Sequence, residues 1–63
     1  MSELETLTAE QIKDLRLSLD LTQEQFAVEV GVHVMTVSRW ERGESAASGL
    51  ALRELLRISK RAP

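Results

Sequence analysis

The sequence predicts an all-α domain of four short helices, and three observations carry that expectation. Apolar residues recur at helical spacing throughout, and no stretch alternates apolar with polar residues as a half-buried strand would. TAEQ (Thr8 to Gln11) and TQEQ (Thr22 to Gln25) read as capping boxes, in which threonine hydroxyl and glutamine amide each accept a backbone N–H that the first helical turn leaves open. Gly31 and Gly43 stand where helices are due to end, because a left-handed residue costs glycine nothing.

Taken in order, residues 1–7 are expected to form a flexible arm from which Leu4 and Leu7 can dock. The first helix should cover 9–19, with Ile12, Leu15, Arg16 and Leu19 on one face, which puts an arginine on a core stripe. The second should cover 23–30, turning Phe26, Ala27 and Val30 inward, and the small Ala27 lets a neighbouring helix approach closely. After Gly31 and two further residues, a third helix over 34–42 runs to Gly43. ESAASG is a loop, and Ser48 offers a cap for a fourth helix over 49–59, with Leu52, Leu55 and Leu56 on its buried side. The folded domain is thus expected over 8–59, with 60–63 as a frayed tail.

Composition excludes several functions. Sixty-three residues make one domain near the lower size limit for folding unaided. Without cysteine there is no disulfide or thiolate metal site, which suits a reducing cytoplasm, and one histidine cannot build a zinc cluster. No apolar run approaches the roughly 20 residues of a membrane span, and no leader pattern opens the chain. No nucleophile–base pair or phosphate-cradling loop points to an enzyme, and nothing calls for a cofactor. Aromatic content of 3% leaves little to stack on unpaired bases, against single-strand binding. A net charge of −2 argues against a general nucleic-acid binder, but the acid is concentrated early: residues 1–20 balance at −3 and 21–63 at +1.

The third helix has two faces. Val37, Trp40 and Glu41 fall together, while Met35, Ser38, Arg39 and Arg42 share the opposite side. One face is core with an acid in it; the other is an exposed stripe with two guanidinium groups. A short helix, a glycine-containing turn and a helix with an arginine-bearing outer face make a helix-turn-helix.

The stretch LTQEQFAVEVGVHVMTVSRWERG resembles the Cro and phage-repressor family, the XRE-type helix-turn-helix, and the likeness extends over residues 11–58. Its most specific pieces are LTQEQFA, the turn glycine Gly31, and TVSRWERG. The resemblance implies a lambda-repressor-type fold in which Arg16 and Glu41 pair, partly buried, accounting for both charges on core faces. It also implies a third helix in the major groove of double-stranded DNA, with Val34, Met35, Ser38 and Arg39 toward base edges. Arg39 is suited to guanine O6 and N7, and Val34 and Met35 to thymine methyls. Gln23, Thr36, Arg42 and Ser45 are the implied phosphate contacts, with His33 as a further one. The function that follows is a small cytoplasmic transcriptional regulator, such as a repressor, acting as a homodimer on a palindromic operator.

Several positions depart from the family pattern. His33 replaces the usual serine or threonine cap, and its imidazole can either accept the capping bond when neutral or reach a phosphate. Val34 and Met35 replace polar residues, Glu44 stands in a loop that is usually basic, and Ala47 replaces a proline. Few residues follow the fourth helix, where many members add a fifth, so Leu50, Leu56 and Ile58, with Leu17, are the apolar residues expected at a dimer contact. A second function class stays open: an antitoxin-like or adaptor module whose outer face, with Met35, meets another protein. SGLALRELL resembles the fourth helix of some antitoxin-type members. Trp40 reads as core. Arg39 and Arg42 read alternatively as a solvated face, and Leu17 as a lone surface leucine.

Overall fold

Both capping boxes form. In the computed structural model, which describes residues 6–61, the Gln11 N–H donates to Thr8 Oγ1 at 3.0 Å and the Thr8 N–H donates to Gln11 Oε1 at 2.8 Å, opening α1 (Ala9–Ser18). The same exchange between Thr22 and Gln25, at 3.1 and 2.9 Å, opens α2 (Gln23–Val30). α1 stops one residue short of the expected end. Asp20 takes a left-handed φ of 59°, so its N–H reaches the Leu17 carbonyl at 3.0 Å and the Leu21 N–H reaches that of Arg16 at 3.3 Å. No glycine marks this stop, so the sequence hides it.

Gly31, at φ 89°, ends α2, and the N–H groups of Gly31 and Val32 share the Ala27 carbonyl at 2.8 and 3.0 Å. α3 (Val34–Glu41) ends with Arg42 as its cap rather than its last residue. Gly43, at φ 76°, then folds the chain back so that the Glu44 N–H meets the Arg39 carbonyl at 2.9 Å. α4 (Gly49–Arg61) runs past the expected end, so Lys60 and Arg61 are helical rather than tail. At its start, Ser48 serves through its backbone carbonyl, which accepts the Leu52 N–H at 3.3 Å. Leu4, expected to dock, and the tail residues Ala62 and Pro63 lie outside the described residues.

α3 packs against α2 and α1, and α4 closes on α2. Phe26, Ile12, Leu55 and Val37 are the largest fully buried side chains. Burying each stabilises the fold by about 1.5–3 kcal/mol. Leu7 packs against this core from the arm as expected, and Ala27 is buried where α2 meets its neighbours. Ala47 lies in the loop before α4, as assigned, and is buried in the core there. One placement differs from the sequence reading. Ile58, expected on an exposed dimer face, is 2% exposed, because the inward stripe of α4 is Leu55 and Ile58, with Leu52 and Leu56 only half-buried. Leu17 and Leu50 are exposed. Among the described residues no buried side-chain nitrogen or oxygen lacks a partner, and no helix is long and apolar enough to cross a membrane.

Candidate nucleic-acid interface

The inner side of α3 fixes the helix. Val37 and Trp40 are 0% and 3% exposed, so they anchor it in the core beside α1 and α2. Its last residue, Glu41, is fixed by charge. Arg16 of α1 donates from Nε to Glu41 Oε2 at 2.7 Å and from Nη2 to Oε1 at 3.1 Å, a two-pronged pair. The side chains are 12% and 4% exposed, as the partly buried pairing implied by the resemblance requires. Arg16 Nη1 also donates to the Leu21 carbonyl at 3.0 Å, tying the α1–α2 turn into the same cluster.

Gln23 completes the network. Its Nε2 donates to Glu41 Oε1 at 3.1 Å, so one carboxylate holds the first residue of α2 and the first helix together. Burial pushes the Glu41 carboxyl up, but hydrogen bonds from Arg16 and Gln23, with the charges of Arg16 and Lys13, hold it below the usual glutamate range. The hydrogen bond to Glu41 raises the Arg16 guanidinium against the opposing effect of burial. Gln23 has a second amide hydrogen, so holding Glu41 does not exhaust it as a donor.

On the outer side Met35 is 47% exposed and Arg39 is exposed, while Ser38 is half-buried between the two faces. Arg39 has no ion-pair partner among the described residues. Val34 packs partly against the core, which leaves less of it to present outward than the sequence reading assumes. Thr36 is half-buried, and Ser45 is exposed in the loop after α3.

The structure decides how His33 sits: Nδ1 accepts the Met35 N–H at 3.0 Å, capping α3. A ring accepting at Nδ1 carries its proton on Nε2, so this exposed side chain caps the helix and still offers an outward donor. Arg42 differs from Arg39. It pairs with Glu44, Nε to Oε2 at 3.0 Å and Nη2 to Oε1 at 3.2 Å. The sequence reading missed this pair; the signal was the spacing Arg42-Gly43-Glu44, in which glycine turns the acid back onto the arginine.

Two tight helices joined through Gly31, the second displaying an arginine on an anchored helix, form the arrangement that the Helix-turn-helix family model describes, and that model matches residues 12–58. The chain belongs to the helix-turn-helix family, of the XRE type. This is a family of DNA-binding domains. The chain is also similar to the Type II methyltransferase M1.ScrFI of Lactococcus lactis subsp. cremoris, 40% identical over an alignment of 55 positions that covers 82% of this chain and 14% of that protein. The helix-turn-helix chain therefore spans a small part of that relative's length, and the likeness carries no methyltransferase activity with it. No group of three or more His, Cys, Asp or Glu side chains is placed to hold a metal ion among the described residues.

Proposed function

We propose that this domain binds double-stranded DNA sequence-specifically with α3 in the major groove, as a small transcriptional regulator. The observation that carries the reading is the contrast between the two sides of α3. Its inner side is locked by Trp40 and by the Arg16–Glu41–Gln23 cluster, while Arg39 stands exposed and unpaired among the described residues. A guanidinium on a rigid helix is pre-organised for the two-pronged grip on guanine O6 and N7. Met35, with the outer part of Val34, supplies apolar contact to thymine methyls, and Ser38 a hydroxyl to a neighbouring base. Gln23, His33 through Nε2, Thr36, Arg42 and Ser45 are the phosphate contacts that set register.

A second reading rests on the exposed apolar surface. Met35 is 47% exposed on the outer face of α3, and Val28 is 78% exposed on α2, which suits a protein partner of the antitoxin type. Salt discriminates the two, since phosphate contacts release counterions and an apolar contact does not. The test is selection from a random duplex library followed by a salt titration on the enriched duplex. Enrichment of a short motif containing guanine, with affinity falling steeply as salt rises, supports DNA reading; no enrichment, with salt-independent capture of a protein, supports the alternative.

A further inference from the structure

We infer that Glu44 is a built-in competitor for the guanidinium of Arg42, and that it holds the sequence-independent part of DNA affinity low. The inference rests on the proposed DNA reading and extends it to a residue outside the proposed base-reading set. Arg42 and Glu44 meet through two contacts, at 3.0 and 3.2 Å, with both side chains more than half exposed. The backbone enforces the meeting. Gly43 takes its left-handed φ of 76°, and the Glu44 N–H is fastened to the Arg39 carbonyl at 2.9 Å, so the acid is turned back toward the residue two before it.

Helix stability does not explain this placement. The carboxyl end of a helix is the negative end of its dipole, which favours Arg42 and disfavours Glu44. An exposed, salt-screened pair also contributes little to folding. Its consequence falls on binding. For Arg42 to meet a phosphate it must leave Glu44, whose carboxylate then stays beside the phosphate and repels it. Arg39, one turn earlier on α3, has no such competitor among the described residues. The arginine suited to reading a base is free, while the one suited to gripping the backbone is occupied. This division weakens binding to every sequence without touching discrimination between sequences.

The experiment compares the full chain with Glu44→Gln on two duplexes, the selected one and a scrambled one, across a salt series. Glu44→Gln should tighten binding to both by a similar factor, roughly two- to fivefold, the equilibrium range of an exposed pair. The slope of log affinity against log salt should steepen by up to about one, as the Arg42 phosphate contact forms without a carboxylate opposing it. In an Arg42→Gln background the gain should shrink to what removal of the carboxylate's own repulsion gives, because no guanidinium remains to be released. Unchanged affinity and slope, with the parent chain still binding, would overturn the role of Glu44 alone. So would a gain confined to the selected duplex or one that is equally large without Arg42. Failure of parent and variant alike to bind any duplex would overturn the DNA reading and this role with it.

Discussion

A carboxylate as buried as Glu41 is tolerable only while its oxygens are occupied, and both are: Oε2 by Arg16, and Oε1 by Arg16 and Gln23. Glu41→Ala leaves the Arg16 guanidinium without its partner and should cost about 3–5 kcal/mol, a large share of the stability of so small a domain. Urea unfolding at neutral pH checks this. Because the folded carboxyl lies below its ordinary range, its contribution is fully present above that range and is lost as pH falls through the depressed folded value. Denaturation midpoints followed from about pH 7 to about pH 3 should therefore fall more steeply for the parent chain than for Glu41→Gln, which has no proton to gain there. Equal slopes would mean that Glu41 is not the group being titrated. Asp20 offers the opposite case, since its left-handed backbone is unfavourable for a residue with a Cβ. Asp20→Gly should raise stability by about 0.5–1 kcal/mol, read as a higher urea midpoint with an unchanged m-value.

At the level of elements, legibility followed the caps. Thr8–Gln11 and Thr22–Gln25 are local patterns whose partners lie three residues apart, so the starts of α1 and α2 could be read without tertiary knowledge. The end of α1 could not, because it uses an aspartate where glycine is the usual signal. Periodicity placed Trp40, Val37 and Glu41 on one face of α3, and the family resemblance supplied the partner of Glu41, which lies 25 residues away. The same periodicity misassigned α4, where Leu56 and Ile58 both fit a helical stripe and only packing against α2 selects Ile58. The engagement of Gln23 with Glu41 and of Arg42 with Glu44 was also beyond pattern reading, since each depends on a turn that aims one side chain at another. His33 gives the test of an element. As the cap of α3 it should cost about 0.5–2 kcal/mol when changed to alanine, and His33→Ser should recover most of that loss in thermal or urea unfolding. If alanine and serine behaved alike, the imidazole would not be holding the start of the helix.

For the whole molecule, the net charge of −2 means that long-range attraction to DNA is absent and that recognition must come from one local face. On the proposed reading, one copy would offer roughly three to five phosphate contacts and read a few base pairs, too little to discriminate against a genome of competing sites. A pair of copies related by a two-fold axis would double both, with their α3 helices about 34–36 Å apart in successive major grooves. The longest dimension of the domain is 34 Å, which allows two copies to sit side by side at that spacing. With Ile58 in the core, Leu50 and Leu17 are the exposed apolar residues left for the contact, joined by the half-buried Leu56. Sedimentation of the protein with its selected duplex should give two chains per duplex on a palindromic site. One chain at saturation on a non-palindromic site would exclude the dimer.

The central claim is that Arg39 reads a base from an anchored helix, and it is tested most directly by comparing Arg39→Ala with Gln23→Ala on the selected duplex and on single-base variants of it. Arg39→Ala should weaken the selected duplex by about 1–3 kcal/mol and erase the preference at one guanine, leaving the other positions discriminated. Gln23→Ala should weaken every duplex by a similar factor and keep the ranking among them. The same uniform loss from both substitutions, with the guanine preference intact in Arg39→Ala, would contradict the account.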